Sequence, residues 1–191
     1  MSRGKDYYIC SDAELMKLIC SADTFAFNEL YSRYSKRMLY YFYRMLGDCK
    51  DTAQDFLQDL FYKIIDKPHL YDSSQRFSTW IFSVAHNMCK NEYRRRTVRK
   101  SSSLNPESLA SLHESSEEES NLSETIKLIY SELSKLGESH KTAFILRYKE
   151  GFQVNEISEV LNLPEGTVKS RLFYARQYLA EKLKKNVEFM Y

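Results

Sequence analysis

The stretch VNEISEVLNLPEGTVKSRLFYARQYL, residues 154–179, decides the fold. Ile157 and Val160 recur at helical spacing, which predicts a short helix with one apolar face. Asn162 can adopt the left-handed conformation that closes a helix, the role that glycine more often has. Pro164 suits the first turn of a following helix, where its missing N–H is no loss. The stretch therefore predicts two helices joined by a tight turn.

The second of these helices has two different sides when its residues are placed at 100° intervals. The side predicted to be buried gathers Val168, Leu172, Ala175 and Leu179. The opposite side and its edges carry polar, aromatic and basic residues: Thr167, Lys169, Ser170, Arg171, Phe173, Tyr174, Arg176 and Gln177. This composition suits a DNA major groove, where polar and aromatic side chains meet base edges and cations meet phosphates. A solvated face of an ordinary helical hairpin is the other interpretation of this helix taken alone.

The composition favours an all-α protein. The chain has 191 residues, 43% of them hydrophobic, but only 5 Gly and 3 Pro, and no convincing strand alternation. The formal charge is +2, so any nucleic-acid binding has to come from local patches. The N-terminus lacks the apolar core of a signal peptide, and no apolar run approaches the roughly 18 residues of a membrane span. We expect a cytoplasmic protein that is not embedded in a membrane.

A Ser- and Glu-rich segment, residues 98–122, divides the chain. It contains the acidic run 117–119, and no aromatic residue occurs between Tyr93 and Tyr130. Such a composition cannot bury enough apolar surface to fold alone, so it predicts a flexible acidic linker. The predicted organisation is a tail, a helical domain, the linker, a second helical domain and a tail, at residues 1–10, 11–97, 98–122, 123–186 and 187–191.

Four helical patterns precede the linker. The first begins with a capping box formed by Ser11 and Glu14, and Gly47 is a natural stop for the second. The third is predicted to bury a wide apolar stripe, namely Ala53, Phe56, Leu57, Leu60, Phe61, Ile64 and Ile65. In the fourth, about residues 78–96, the residues predicted to face inward are Trp80, Ile81, Val84, Ala85 and Met88.

The third helix leaves one polar face outward, made of Asp51, Gln54, Asp55, Gln58 and Asp59. Carboxylates in its first turns suit the helix dipole and offer acceptors to a basic partner. A solvated polar face is the alternative. A metal or acid–base site at Asp55 and Asp59 lacks a histidine or third carboxylate, so we predict no metal, no cofactor and no catalytic residue here.

The fourth helix and the loop before it combine cations with aromatic residues: Tyr71, Arg76, Phe77, Ser83, His86, Asn87, Lys90, Arg94 and Arg95. Such a groove suits single-stranded DNA, because cations follow the backbone while aromatic rings stack on bases. Core packing is the favoured interpretation of Trp80, and a polar surface role that of His86.

Several of these segments resemble one family. GTVKSRLFYAR (166–176) closely resembles the recognition helix of region four of bacterial sigma factors, and DTAQDFLQDLFYKII (51–65) is similar to the region-two helix that docks on RNA polymerase. AFNELYSRYSKRMLYYFYRMLGD (26–48) looks like the start of region two, and FSTWIFSVAHNMCKNEYRRR (77–96) looks like its promoter-melting segment. Only regions two and four fit in this length, which resembles the extracytoplasmic-function (ECF) group of the sigma-70 family. Three positions depart from the family pattern: Gly137 for its usual Pro, Ser158 for Ala and Asn162 for Gly.

The resemblance implies a sigma factor that binds core RNA polymerase and directs promoter-specific initiation. Region four would read the upstream promoter element, and region two would melt and read the downstream element. The face of residues 51–59 would grip the clamp helices of the largest polymerase subunit, with Gln58 and Asp59 central. The loop of residues 68–76 would hold a flipped base of the non-template strand. The implied partners are core polymerase, promoter DNA and an anti-sigma factor, with no small-molecule substrate.

Two other functions are open to the residues alone. An autonomous helix-turn-helix regulator would explain the C-terminal half, but not the polar face of residues 51–59 or the aromatic and basic fourth helix. A nucleic-acid enzyme would need chemistry that the sequence does not display: there is no HExxH motif, no phosphate-binding Gly-rich loop and no nucleophile with a paired base.

Overall fold

The computed structural model describes residues 6–102 and 124–188, and within these ranges the structure is helical and contains no strand. The predicted all-α class is confirmed. The chain divides into two compact units, residues 1–109 and 110–191. Most of the predicted linker, residues 103–122, lies outside the described residues.

Unit 1 contains four α-helices and two short 3₁₀ turns. The helices are α1 (Asp12–Cys20), α2 (Thr24–Met45), α3 (Lys50–Asp66) and α4 (Phe77–Ser102), and the turns are Tyr7–Ile9 and Pro68–Leu70. The predicted capping box is present, since the Glu14 backbone N–H donates to Ser11 Oγ and the Ser11 N–H donates to Glu14 Oε2. Gly47 follows the end of α2 with φ +97°, a conformation in which an L side chain would be strained.

The core of unit 1 forms where α2 packs against α1, α3 and α4. Its largest fully buried side chains include Leu15, Leu30, Met38, Tyr41, Phe42, Leu60, Ile64 and Phe82. Aromatic edge-to-face contacts hold α2 to α4, for example between Tyr41 and Phe82, whose ring centroids are 5.4 Å apart. This packing fixes the outward faces of α3 and α4.

Helix α4 is rotated relative to the prediction. Ile81 and Ala85 are fully buried as expected, whereas Trp80, Val84 and Met88 are only half-buried. The core positions missed by the prediction are Phe82 and Cys89. Apolar residues occupy two neighbouring flanks of this helix, and contact with α2 selects the flank that is buried. The helix also continues to Ser102, beyond its expected end near Arg96.

The C-terminal half of α4 caps the end of α2. The Tyr93 hydroxyl donates to the carbonyl of Met45, and Arg96 Nη1 donates to the carbonyl of Leu46 at 3.2 Å. These carbonyls belong to the last turn of α2, where no intrahelical N–H is available to them. Side chains of α4 therefore supply hydrogen bonds that the last carbonyls of α2 cannot make within their own helix.

The segment before α1 is held by Arg33 of α2. Its guanidinium donates to the carbonyls of Tyr7, Tyr8 and Cys10 and to the carboxylate of Asp12, at 2.8–3.2 Å. Residues 6–10, the described part of the predicted N-terminal tail, are thus attached to the helical domain.

Unit 2 contains α5 (Glu124–Lys135), α6 (Glu138–Phe144), α7 (Val154–Leu161) and α8 (Glu165–Glu188). Asn162 has φ 51° and ψ 56°, so the left-handed turn predicted between α7 and α8 is confirmed. Helix α6 is α-helical only to Phe144. The next turn, Ile145–Lys149, is π-helical, and the Glu150 N–H donates to the Ile145 carbonyl at 3.1 Å.

Candidate nucleic-acid interface

The side of α8 that was predicted to contact DNA faces the solvent. Val168 and Ala175 are fully buried, and Leu172 and Leu179 are 6% and 5% exposed, which confirms the predicted inner side. Phe173 is 61% exposed and Tyr174 is 53% exposed. Of the other predicted DNA contacts, four are exposed and two are half-buried: Lys169, Ser170, Arg176 and Gln177, then Thr167 and Arg171. We call these eight residues the reading face.

The turn before α8 is fixed by reciprocal hydrogen bonds. Ser158 Oγ donates to the Leu163 carbonyl at 2.5 Å, and the Leu163 N–H donates to the Ser158 carbonyl at 3.0 Å. Serine at position 158 therefore contributes a hydrogen bond that the family's usual alanine could not make. On the reading face itself, Lys169 forms an exposed ion pair with Glu165 at 3.3 Å. Exposed pairs of this kind are worth little, so the ammonium group is available to an external anion.

Two tyrosines attach one edge of α8 to the helices behind it, and neither attachment was predicted. The Tyr174 ring contacts His140 of α6, with ring centroids 5.2 Å apart. One turn later, the Tyr178 hydroxyl donates to Glu132 Oε2 of α5 at 3.1 Å. The sequence signal is the i, i+4 spacing of the tyrosines, but their partners lie 34 and 46 residues away along the chain.

The loop before α4 borders an open, shallow cavity of about 370 Å³. Its lining comes from the start of α1 and from the loop: Asp12, Ala13, Tyr71, Ser73, Ser74, Gln75, Arg76, Phe77 and Ser78. The loop is shaped locally, since the Tyr71 hydroxyl donates to the Gln75 carbonyl and the Ser74 N–H donates to Asp72 Oδ1, both at 2.9 Å. Hydrogen bonding from Ser74 lowers the pKa of Asp72, while burial raises the pKa of Tyr71. The cavity is of small-ligand size, and its lining is about equally polar and apolar.

Phe77 was predicted to contact DNA, but it is 3% exposed. Its ring packs against Tyr34, Tyr71 and Trp80, at centroid distances of 5.0–5.5 Å. A residue so enclosed cannot stack on a base, and its role is to support the half-buried rings of Tyr71 and Trp80. The core position expected for Trp80 is correct only in part, because the indole is half-buried.

The remaining predicted positions of α4 follow one flank. Asn87, Lys90 and Arg94 are exposed, as is Arg76 in the loop, while Ser83 and His86 are half-buried. The arginines that end this flank differ in their partners. Glu92, which is 9% exposed, forms ion pairs with Arg95 at 2.6 Å and with Arg96 at 2.9 Å. Arg95 therefore has a fixed carboxylate partner that the sequence did not indicate. Lys90 and Arg94 have no ion-pair partner among the described residues.

Helix α3 exposes all five predicted polar residues: Asp51, Gln54, Asp55, Gln58 and Asp59. Two apolar residues lie on the same side and were not predicted to do so, Tyr62 at 66% exposure and Ile65 at 53%. Placing Ile65 in the buried stripe was wrong, because it lies on the polar side of α3, whereas its neighbour Ile64 faces the core and is fully buried. We call these seven residues the α3 face. It is acidic at its N-terminal end and apolar at its C-terminal end.

Residues 6–102 and 124–188 contain neither a metal-binding cluster nor a membrane-spanning helix. No group of three or more His, Cys, Asp or Glu side chains there could hold a metal ion. None of the helices in the described part of the chain is long and apolar enough to span a bilayer.

The chain matches two family models and several known proteins. Residues 30–99 match the model of Sigma-70 region 2, and residues 126–179 match that of Sigma-70 region 4. The ECF RNA polymerase sigma-E factor of Escherichia coli (strain K12) is 30% identical over 185 residues, covering 91% of this chain and 94% of the relative. The ECF RNA polymerase sigma factor SigW of Bacillus subtilis is 27% identical over 178 residues, covering 88% and 95%.

Solved structures share the fold. CnrH, in complex with the cytosolic domain of CnrY, superposes with a TM-score of 0.67 at 23% identity, covering 91% of this chain and 97% of CnrH. The sigma factor RpoE of Bartonella quintana, in complex with the anti-sigma factor NepR, has a TM-score of 0.63 at 22% identity, covering 83% and 96%. With both region models matched in order and a relative at 30% identity along nearly its whole length, this chain belongs to the extracytoplasmic-function group of the sigma-70 family.

Proposed function

We propose that this chain binds core RNA polymerase and directs promoter-specific transcription initiation through three separate surfaces. The α3 face docks on the polymerase, the loop cavity and α4 melt and hold the downstream promoter element, and the reading face recognises the upstream element. One observation supports the proposal most strongly. The chain has two compact helical units in the family's order, and in each unit a helix buries an apolar stripe and exposes a polar face. Residues 11–97 and 123–186 are the proposed domains, and residues 98–122 are the proposed tether.

The α3 face has the composition of a protein interface. Its carboxylates offer acceptors to a basic partner, and Tyr62 and Ile65 add apolar area of the kind that dominates binding energy. The proposed partner is the pair of clamp helices in the largest polymerase subunit, with Gln58 and Asp59 at the centre of the contact.

The cavity beside the loop suits a single nucleobase turned out of the duplex. Tyr71 supplies an aromatic wall, while Ser73, Ser74 and Gln75 supply hydrogen-bonding groups for the edges of a base. Along α4, Lys90 and Arg94 can follow the phosphates of the same strand. The binding energy of the extruded base helps to open the duplex, so melting needs no ATP.

The side chains of the reading face have two different roles in this proposal. Ser170, Phe173 and Gln177 meet base edges in the major groove, and Phe173 suits a thymine methyl group. Lys169 and Arg176 meet phosphates and set the position of the helix. The protein acts as a non-enzymatic factor in the bacterial cytoplasm. We expect an anti-sigma factor to bind this protein, as NepR binds RpoE in the solved Bartonella quintana complex.

Run-off transcription with core polymerase on a library of promoter fragments tests this function. We expect transcripts only when this protein and core polymerase are both present, from promoters that share an upstream and a downstream element. The autonomous-regulator alternative predicts instead that the free protein binds duplex DNA specifically and that core polymerase gains no promoter selectivity from it. Specific duplex binding without any effect on core polymerase would therefore overturn the proposal.

A further inference from the structure

His140 of α6 brings a second helix against the reading face of α8. Its ring lies 5.2 Å from the ring of Tyr174, centroid to centroid, with an angle of 47° between the planes. His140 is half-buried, whereas Tyr174 is 53% exposed and lies between Ser170 and Tyr178 on the surface of α8. One surface of the tyrosine ring is therefore covered by protein, and the rest of the side chain is open to a ligand.

The His140 ring is itself fixed. Nδ1 lies 3.2 Å from the carbonyl oxygen of Leu136, and because a carbonyl can only accept, Nδ1 carries the proton of this hydrogen bond. The residue sits in the first turn of α6, next to Lys141 and Thr142, which are 7% and 1% exposed. The imidazole thus forms a stationary support for Tyr174.

The same edge of α8 is anchored again one turn later. Tyr178 donates to Glu132, whose Oε1 accepts a hydrogen bond from Lys135 at 2.6 Å. Two successive tyrosines therefore connect α8 to α5 and α6, and only Tyr174 belongs to the reading face. Tyr178 provides the natural comparison, because it makes an anchoring contact without facing DNA.

We propose that His140 is a positioning residue for promoter reading, which holds the Tyr174 ring in one orientation at the edge of the reading face. This inference rests on the proposed function. An exposed tyrosine on a helix has two common χ1 rotamers, and a fixed neighbouring ring selects one of them before DNA arrives. Tyr174 then meets the same base pair in every complex. Without that support, part of the binding energy is spent on ordering the side chain.

The test uses run-off transcription by core polymerase with the full-length protein on promoters whose upstream element is varied one base pair at a time. The variants are H140A, H140F, Y174A and the double variant H140A/Y174A, with S139A as the matched control from the same exposed turn. We expect Y174A to lose preference at one or two base pairs. H140A should lose preference at the same positions by about threefold to tenfold, as ordering one side chain requires. The double variant should lose no more than Y174A. H140F, which keeps a ring but not the hydrogen bond to Leu136, should retain part of the preference.

Other outcomes overturn the inference. They are an equal fall in transcription by H140A at every sequence, additive losses in the double variant, or no rescue by H140F. Circular dichroism of each variant confirms that helical content is retained. If the wild-type protein gives no core-dependent transcription, the proposed function fails together with this inference. A working wild type with unchanged preferences in H140A rejects the inference alone.

Discussion

Glu132 of α5 and Tyr178 of α8 are joined by a hydrogen bond of 3.1 Å, although 46 residues separate them. The Glu132 side chain is 9% exposed and also binds Lys135 at 2.6 Å. The hydrogen bond from Lys135, followed by that from Tyr178, lowers the pKa of Glu132 below its ordinary value of 4.5. A carboxylate with these partners stabilises the packing of α5 on α8 more strongly while it is ionised.

The stability of unit 2 should therefore depend on Glu132 and should decrease at acid pH. Because the folded pKa is below the unfolded value, the contribution is fully present above pH 4.5 and is lost as pH falls through the folded pKa. We expect Glu132→Gln to destabilise unit 2 at neutral pH, and the difference from wild type to shrink below pH 4.5. Hydrogen exchange of α5 and α8 amides measures this directly. Ser131→Ala, exposed in the same helix, is the control, and a mutational effect independent of pH would contradict the assignment.

The α3 face should be required for polymerase binding. Replacing Gln58 with Ala and Asp59 with Lys removes an acceptor and introduces a cation, so affinity for core polymerase should fall by about tenfold or more. Both side chains are exposed, so unit 1 should remain folded, and the single tryptophan, Trp80, reports this by fluorescence. Co-purification with core polymerase is the measurement. Asn28→Lys, a basic change at an exposed position of α2, is the control; undiminished binding by the double variant would reject this docking surface.

Tyr62 offers a separate test of the same face. Its ring is 66% exposed, and an exposed aromatic ring beside polar acceptors is the type of residue that anchors an interface. Tyr62→Ala should weaken binding to core polymerase by about 1–3 kcal/mol without lowering the melting temperature of unit 1. Titration calorimetry or a competition assay gives the first quantity and Trp80 fluorescence the second. A fall in the melting temperature with unchanged affinity would show that the ring serves the fold.

The residues of the reading face should separate into two groups. Ser170→Ala and Phe173→Ala should change which upstream sequences are used, at about 1–3 kcal/mol per affected base pair. Lys169→Ala and Arg176→Ala should weaken transcription from all promoters and reduce the salt dependence by about one unit of slope each. Promoter-library transcription at several salt concentrations measures both. If Phe173→Ala lowered use of every sequence equally, Phe173 would be a positioning residue and the orientation of α8 on DNA would be wrong.

The turn between α7 and α8 should tolerate only some residues. At φ 51° and ψ 56°, a β-branched side chain is strained, so Asn162→Val should destabilise unit 2 by about 1–2 kcal/mol. Asn162→Gly should be nearly neutral, because glycine adopts this conformation freely. Thermal unfolding followed by circular dichroism measures the change, with Trp80 fluorescence identifying the transition of unit 1. Equal stability of the Val and Gly variants would contradict the strain argument.

Local signals predicted much of this molecule. The capping box at Ser11, the helix end at Gly47 and the left-handed conformation of Asn162 each depend on near neighbours in the chain. Each could therefore be predicted from a short stretch of sequence. The inner side of α8 was equally predictable, because its apolar residues form a single stripe.

Most of the errors arise where the cause lies far along the chain, and the overlooked pair of Arg95 with Glu92, three residues apart, is an exception. In α4, apolar residues occupy two flanks, and only contact with α2 decides that Phe82 is buried while Trp80 is half-buried. The pairing of Arg95 with Glu92 was overlooked because a run of arginines reads as a run of free cations. The contact of His140 with Tyr174 spans 34 residues, and no local pattern encodes it.

The cap that Tyr93 and Arg96 place on the end of α2 has a mechanical consequence. Under the proposed function, a strand bound along α4 would pull on that helix when the duplex opens, and these two residues would pass the force to the carbonyls of Met45 and Leu46. Helix α2 packs directly on α3, whose outer face is the proposed anchor on the polymerase. Within unit 1, the proposed DNA contact and the proposed polymerase contact would therefore be connected through directly packed helices.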